Sequence, residues 1–223
     1  MTVSASSANR ALLLDLDGTL AVSVDILVQV YHRFLQARGR SGSAQEFARL
    51  NGPSLAEVVA SLKRDHDLAG DVDVLLAEYR ALVGEVYKDV EPNVGGRELI
   101  AAANGLGWRV AVVTSNTRDI ASKWLDRVGF NGHINALVTG ELVSKGKPDP
   151  EIYLTALKAC DTRANRALAV EDTPMGAASA CGAAVETYVL TTSAVSGPSW
   201  PPGLRTITRL DDLIPVLEQR SRI

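Results

Sequence analysis

The sequence lacks most of the features that mark secreted, membrane-bound or zinc-binding proteins. Its two cysteines, Cys160 and Cys181, are isolated and match no zinc spacing, so we expect buried thiols in a reducing compartment. The first nine residues are polar and lack the apolar segment of a secretion signal. No uninterrupted apolar run approaches the roughly 20 residues that a bilayer requires. These absences predict a cytoplasmic protein with no membrane partner.

The charges show no strong pattern either. The net charge is −3, and no block of like charges is long enough to form a nucleic-acid-binding arm. The three histidines share no metal-ligand spacing, and we expect Asp65-His66-Asp67 to be a solvated helix end.

Hydrophobic residues make up 46% of the 223 residues, which is enough to bury a substantial core. That length fits one large domain, or a core with a smaller insert.

An apolar run followed by two acids organises the chain. Residues 11–14 (Ala-Leu-Leu-Leu) predict a buried strand of a parallel sheet. Asp15 and Asp17 come next, at a spacing that puts them on the same side, and Gly18 lets the chain turn sharply after them. Open α/β sheets bind ligands at the carboxyl ends of their strands, so this acidic pair is a candidate site.

Residues 23–87 have helical rather than strand periodicity. Three apolar stripes at helical spacing start at Ile26, Leu55 and Val72, and Ser54 is placed to cap the second of these helices. A helical insert of this size must pack its own stripes together, so we predict a separate subdomain. The expected boundaries are residues 21–90 for an all-helical cap, and residues 1–20 with 91–223 for the core.

Strands and helices alternate after residue 91. Apolar runs predict strands at residues 108–113, 136–139, 167–170 and 183–190, and helices at residues 97–104, 120–128, 174–181 and 210–220 and after residue 150. Residues 191–203 are predicted to form a loop. This order indicates an α/β fold, a doubly wound, Rossmann-like parallel sheet core with an inserted all-α cap subdomain.

Polar side chains follow other predicted strands as well. Ser115 and Asn116 follow the second strand at an expected helix start, and Glu171 and Asp172 follow the fourth. Right-handed crossovers place Lys147 at the same edge. Each group alone could be a helix cap, a solvated turn or a surface lysine. Together, several carboxylates in one crevice call for a divalent cation, and ligation by oxygen alone suits magnesium. Backbone amides at the helix start and the lysine charge would bind an anion.

A cation, an anion site, a lysine and two acids are the parts that phosphoryl transfer uses. Asp15, nearer the strand end, is the expected nucleophile and would form an aspartyl phosphate. Asp17 is the expected acid, which gives a proton to the leaving oxygen and then takes one from water. The expected metal ligands are the carboxylates of Asp15 and Asp172 and the backbone carbonyl of Asp17, with Glu171 as a further ligand or a close support.

Four ordered segments resemble the motifs of the haloacid dehalogenase superfamily. The resemblance covers nearly the whole chain, and the helical insert resembles the small α-helical cap of the branch that holds phosphoglycolate phosphatases, sugar-phosphate phosphatases and β-phosphoglucomutases. It implies Asp15 as nucleophile, Asp17 as acid/base and Asp172 as magnesium ligand. It also implies Lys147 and Ser115, or else Thr114, as phosphate contacts. The four segments are Asp15-Leu-Asp-Gly-Thr19, Thr114-Ser-Asn116, Gly146-Lys-Pro-Asp-Pro-Glu-Ile-Tyr153 and Glu171-Asp-Thr-Pro-Met-Gly-Ala-Ala178.

Three departures from that branch bear on the reaction. Val22 replaces an Asp that the branch usually has, which removes a polar contact at the cap hinge. Leu55 and Leu27 stand where the mutases of the branch carry an arginine and a histidine, so a bisphosphate intermediate has little to bind and mutase activity is disfavoured. Dehalogenases dispense with the second Asp and the metal-binding acids, which are present here. If Leu27 and Leu55 face the site, it is more apolar than is usual for a sugar-phosphate enzyme.

We therefore predict a magnesium-dependent phosphatase that hydrolyses a small phosphomonoester, either a sugar phosphate or a phosphoglycolate-like compound, through an aspartyl-phosphate intermediate. Two alternatives stay open: a β-phosphoglucomutase-like mutase, and a non-catalytic protein that binds phosphoesters or a partner. The expected partner is a small phosphorylated molecule rather than nucleic acid or a membrane, and the expected assembly is a monomer or a weak dimer.

Overall fold

A computed structural model describes residues 9–191 and 200–222 of the chain. The polar start, up to residue 8, and the part of the expected loop at residues 192–199 lie outside the described residues. The strands and helices, in chain order, are β1 (Asn9–Leu14), α1 (Val24–Gln36), α2 (Ala44–Leu50), α3 (Leu55–Asp65), α4 (Val72–Val86), α5 (Gly96–Gly105), β2 (Arg109–Thr114), α6 (Arg118–Arg127), β3 (Ala136–Thr139), α7 (Glu151–Ala159), β4 (Thr162–Glu171), α8 (Pro174–Gly182), β5 (Glu186–Leu190), β6 (Arg205–Ile207) and α9 (Ile214–Ser221).

The strands of the described part form one parallel sheet in the order β3-β2-β1-β4-β5-β6. The direction of winding reverses at β1, which has β2 on one side and β4 on the other. Such a reversal opens a crevice at the carboxyl ends of the strands. The predicted doubly wound sheet is confirmed. Strand β6 was not expected, because two of its three residues are exposed and give no apolar signal.

The two faces of the sheet are covered by different helices. Leu12 and Leu14 of β1 lie in a hydrophobic core that includes residues of α5, α6 and α9, whereas Leu13 lies in a second core with residues of α7 and α8. This alternation follows from the two-residue period of a strand. Both faces of the central strand are therefore buried, which fixes the position of the acids that follow it.

Five helices lie between β1 and β2 in the chain, and the first four, α1–α4, form the helical insert. The three predicted apolar stripes are found on α1, α3 and α4, and their buried side chains join the first of the two cores. Ser54 caps α3 as predicted: its hydroxyl accepts a hydrogen bond from the Glu57 amide, and the Glu57 carboxylate accepts one from the Ser54 amide. The short helix α2 is an addition that the sequence analysis did not specify; Ser43 caps it.

Three smaller expectations need correction. Asp65 and Asp67 at the end of α3 are exposed as expected, but His66 is only partly exposed: its Nε2 atom lies 2.8 Å from Oε1 of Glu46, because α2 lies beside the end of α3. Cys160 is buried as expected, but Cys181 is partly exposed. The closing helix was expected from residue 210, but Leu210–Leu213 form a 3-10 turn and α9 follows it. None of the helices described has both the length and the apolar character needed to cross a membrane.

Candidate active site

The carboxyl ends of β1, β2 and β4 meet at one edge of the sheet, since these three strands are neighbours. Asp15 follows β1, Ser115 and Asn116 follow β2, and Glu171 ends β4 with Asp172 directly after it. In the sequence, Asp15 and Asp172 are separated by more than half of the chain. The fold brings Asp15, Ser115, Asn116 and Asp172 to the walls of one crevice, and Glu171 lies buried beside Asp15 and Asp172.

Lys147 connects two of these acids. Its buried ammonium group donates hydrogen bonds to Oδ1 of Asp15 at 2.5 Å and to Oε1 of Glu171 at 2.6 Å, and it lies 3.3 Å from the carbonyl oxygen of Val113. Burial by itself would lower the pKa of Lys147, but the two carboxylates outweigh it and raise that pKa above its usual value. The lysine is therefore a fixed positive charge. The hydroxyl of Tyr153 also donates to Oε1 of Glu171, at 2.6 Å.

Asp15, Glu171 and Asp172 form a compact carboxylate cluster: one oxygen from each lies within 4.8 Å of the others. Burial and then the charge of Glu171 raise the pKa of Asp15 well above its usual value. The same two causes, in the same order, raise the pKa of Asp172 to about 8. One lysine does not neutralise three carboxylates, so the cluster favours a further positive charge.

The cluster fits a divalent cation. Oε2 of Glu171 is buried and has no hydrogen-bond partner among the described residues. Two glycines keep the space around the cluster free: a Cβ at Gly18 would lie 2.0 Å from Oδ2 of Asp172, and a Cβ at Gly176 would lie 1.9 Å from Oε2 of Glu171. All the available donors are oxygens, the type that hard cations such as magnesium prefer.

Asp17 has a different environment. Its carboxylate accepts hydrogen bonds from the hydroxyl of Ser23 at 2.8 Å, from Nδ2 of Asn116 at 3.3 Å and from the hydroxyl of Tyr87. Its side chain therefore lies outside the carboxylate cluster, and only its backbone carbonyl was expected as a metal ligand. Burial and the charge of Asp17 raise the pKa of Tyr87 above its usual value, so that the phenol stays a donor.

Sequence reasoning missed Tyr87 and the role of Ser23. Ser23 directly precedes α1 and Tyr87 directly follows α4, so both lie where the chain passes between the sheet and the helical insert. Tyr87 continues the last apolar stripe of the insert, and nothing in its local sequence separates it from a core tyrosine. Ser23 directly follows Val22, which is exposed, so the polar contact at this hinge comes from Ser23 and not from residue 22.

The segment after β2 differs from expectation in one respect. We expected a helix start at Ser115 and Asn116 with free backbone amides, but α6 begins at Arg118, and Thr117 caps it by accepting a hydrogen bond from the Ile120 amide. The backbone amide of Asn116 instead donates to Oγ1 of Thr114 at 3.0 Å. The segment thus forms a tight turn before the helix, and that amide already has a partner within the chain.

Ser115 connects the sheet to the helical insert. Its hydroxyl donates a hydrogen bond to the carbonyl oxygen of Gly52 at 2.5 Å, just before α3. Both residues line a cavity of about 60 Å³. The predicted residues Asp15, Asp17 and Lys147 line it from the sheet, and Leu27 and Leu55 line it from the insert. The two leucines therefore face the site, as the sequence analysis considered. Further lining residues include Phe47, Leu50, Tyr79, Thr114, Ser115, Asn116 and Asp172.

The chain is similar to known proteins over most of its length. Residues 12–190 match the model of a family described as haloacid dehalogenase-like hydrolase. The matched span begins in β1 and ends with β5, so it contains every predicted site residue and the helical insert.

Two curated relatives and one solved structure illustrate the likeness. The chain is 26% identical over 215 residues to a bifunctional riboflavin kinase/FMN phosphatase from Arabidopsis thaliana. The aligned region covers 96% of this chain and 55% of that longer protein, so the chain spans about half the length of this relative. It is 32% identical over 188 residues to validoxylamine A 7'-phosphate phosphatase from Streptomyces hygroscopicus subsp. limoneus, covering 82% of this chain and 86% of the relative. CbbY from Rhodobacter sphaeroides, solved in complex with phosphate, has the same fold, with a TM-score of 0.77, 23% identity and coverage of 92% and 96% of the two chains.

Proposed function

The chain belongs to the haloacid dehalogenase-like hydrolase family, and on this premise we propose that it is a magnesium-dependent phosphatase of small phosphomonoesters that works through an aspartyl phosphate on Asp15. The observation that carries the proposal is the position of Lys147, whose ammonium group contacts both Asp15 and Glu171 inside one buried crevice. The names of the relatives support the reaction class, since both include a phosphatase of a phosphorylated small molecule.

The roles of the two aspartates follow from their surroundings. An oxygen of Asp15 attacks the phosphorus atom of the substrate, forming an O–P bond while the bond from phosphorus to the leaving oxygen breaks. Asp17 gives its proton to that leaving oxygen, and the alcohol departs. Asp17 then takes a proton from water, whose oxygen attacks the phosphorus, so that Asp15 is freed and inorganic phosphate is released. Ser23, Asn116 and Tyr87 hold the Asp17 carboxylate for both transfers.

The remaining predicted residues bind the phosphate and the metal ion and balance their charges. Lys147 compensates negative charge beside Asp15, and Ser115 and Asn116, or Thr114, contact the phosphate oxygens. The carboxylates of Asp15 and Asp172 and the backbone carbonyl of Asp17 would hold magnesium, with the free Oε2 of Glu171 close by. Magnesium, when bound, would neutralise negative charge on the phosphate oxygens and on the carboxylate cluster.

We further propose that residues 21–90 act as a movable cap over a core formed by residues 1–20 and 91–223. A cavity of about 60 Å³ holds only a few water molecules, far less than a typical ligand site. A substrate therefore enters only if the helical insert moves away, which would break the hydrogen bond between Ser115 and Gly52. Closure then excludes bulk water during the first transfer. The sugar-phosphate or phosphoglycolate-like substrate, the cytoplasmic location and the monomeric or weakly dimeric state stay predictions.

A panel of phosphomonoesters, assayed with and without magnesium, tests the proposal. We expect release of inorganic phosphate that requires magnesium and that is lost in Asp15→Asn. Asp25→Asn is the matched control, because Asp25 is an exposed residue in the first turn of α1. An isomerised sugar phosphate in place of free phosphate would instead identify a mutase. Binding of phosphoesters without any turnover would identify the non-catalytic alternative.

A further inference from the structure

The insert presents a hydrocarbon surface to the candidate site. Leu27 of α1, Phe47 and Leu50 of α2 and Leu55 of α3 line the cavity, and each is only partly buried although it also contacts the core. When an apolar group covers partly exposed leucine and phenylalanine side chains, the free energy falls, because their apolar surface is removed from water. The part of the substrate that faces the insert is the leaving group, since the sheet edge carries the phosphate-handling residues.

The cavity also lacks a counter-charge for a second anion. Among the lining residues within the described part of the chain, Lys147 is the one cationic side chain, and it is already bound to Asp15 and Glu171. Asp17 and Asp172 add negative charge to the same walls. A carboxylate or second phosphate on the leaving group would be buried here without a partner, which is strongly unfavourable.

One buried polar group on the insert side can bind an uncharged oxygen. Tyr79 of α4 is only 3% exposed and lies edge-on to Phe34 with ring centroids 5.0 Å apart. It lines the cavity, and burial and the nearby Tyr31 raise the pKa of its hydroxyl above the usual value, so that the hydroxyl stays protonated and can donate. A tyrosine hydroxyl in the wall of a cavity can donate a hydrogen bond to a ligand oxygen, so an oxygen of the substrate is a suitable partner for it.

We propose that the substrate is a phosphate ester of an uncharged alcohol that offers a hydrocarbon surface to Leu27 and Leu55 and an oxygen to the hydroxyl of Tyr79. This inference rests on the proposed phosphatase function and narrows it. Of the two substrate types named above, it excludes phosphoglycolate-like acids, and it also excludes bisphosphates.

Two matched esters test the charge preference. n-Butyl phosphate and 3-phosphooxypropanoate have similar length, but the second ends in a carboxylate. We expect kcat/KM with magnesium to be at least about tenfold higher for the butyl ester. Equal or faster hydrolysis of the carboxylate ester would overturn the inference while leaving the phosphatase function intact. If the folded protein releases no phosphate from these esters or from p-nitrophenyl phosphate, the proposed function itself is wrong, and the inference with it.

Two variants locate the preference in the insert. Leu55→Arg supplies a cation to the cavity, so the ratio of kcat/KM between the two esters should shift by about tenfold or more toward the carboxylate ester, whereas Leu55→Met should leave it unchanged. The ratio is taken within one preparation, so a partly folded sample does not alter it. Tyr79→Phe should lower the ratio of kcat/KM for 4-hydroxybutyl phosphate to kcat/KM for n-butyl phosphate about tenfold. Unchanged ratios in both variants would show that Leu55 and Tyr79 do not contact the leaving group.

Discussion

The hydroxyl of Tyr87 donates a hydrogen bond to the carboxylate of Asp17, and this contact ties the end of α4 to the loop after β1. Ser23, on the other connection between sheet and insert, donates to the same carboxylate. Asp17 is therefore held from both connections to the helical insert. If the insert moves as a cap, the orientation of Asp17 changes with it.

Removal of the Tyr87 hydroxyl should slow the reaction. In Tyr87→Phe the Asp17 carboxylate loses one of three donors, and a hydrogen bond to a charged group contributes about 1.5–3 kcal/mol, so we expect kcat to fall by about tenfold or more. Steady-state kinetics with a poor leaving group, which needs the acid most, measures this. The control is Tyr188→Phe, because the Tyr188 hydroxyl contacts Glu186 and Arg205 far from the crevice. If both variants keep full kcat, Tyr87 does not position Asp17.

Loss of the buried lysine should destabilise the protein. Lys147→Met leaves the carboxylates of Asp15 and Glu171 buried without their shared cation, and breaking a buried ion pair in this way costs about 3–5 kcal/mol. Urea denaturation in the presence of a chelator measures the free energy of unfolding. Lys145→Met is the control: this neighbouring side chain is 73% exposed, and its variant should change stability little. Similar stability for the two variants would contradict the charge balance described here.

The stability of the metal-free protein should fall as the pH rises. The pKa of Asp172 is raised from 3.8 to about 8 in the folded chain, so the folded state binds more protons than the unfolded state between these values. The free energy of unfolding therefore decreases as the pH rises from about 4 to about 8, and the raised pKa of Asp15 acts in the same direction. Thermal unfolding with a chelator at several pH values measures this decrease.

The same reasoning predicts that magnesium stabilises the protein more at pH 8 than at pH 5, since metal binding requires the ionised carboxylates. Asp172→Asn removes the titrating group, so its metal-free stability should depend less on pH. An Asp172→Asn variant with the same pH profile as the parent protein would show that another group is responsible.

The space beside Glu171 should tolerate no side chain. In Gly176→Ala the added Cβ would lie 1.9 Å from Oε2 of Glu171, so that carboxylate must move, and we expect magnesium-dependent activity to fall at least about tenfold. Gly105→Ala is the matched control, because Gly105 lies in α5 with no atom near the added Cβ; there the change should be neutral or stabilise by up to about 1 kcal/mol. Activity assays across a magnesium titration compare the two. Full activity in Gly176→Ala would contradict a metal site at this position.

Much of the fold could be predicted because its signals are local. The apolar run before Asp15, the stripe of α4 and the cap at Ser54 each depend on a few neighbouring residues, and each is found as expected. The strand-end acids and Lys147 could be grouped because parallel strands direct their carboxyl ends to one edge. Strand β6 and helix α2 were missed because both are short and lie largely exposed.

The parts of the site that were missed depend on contacts across the fold. Tyr87, Tyr153 and Tyr79 all fit apolar stripes of helices. Only the assembled structure shows that the first two donate to Asp17 and Glu171 and that Tyr79 lines the cavity. The sequence alone could not show that the backbone amide of Asn116 donates to Thr114 and so is not free to bind an anion. The pairing of His66 with Glu46 likewise needs α2, whose position is set by tertiary packing.

The most direct test of the account is a search for the phosphorylated enzyme. Asp17→Asn slows attack by water, whereas p-nitrophenyl phosphate needs no acid to expel its leaving group, so the intermediate should accumulate in this variant. After an acid quench, peptide mass spectrometry should find the phosphoryl group on Asp15, and on no peptide of an Asp15→Asn, Asp17→Asn double variant. Phosphate release by Asp15→Asn at the rate of the parent protein, or a phosphoryl group on another residue, would contradict the central claim.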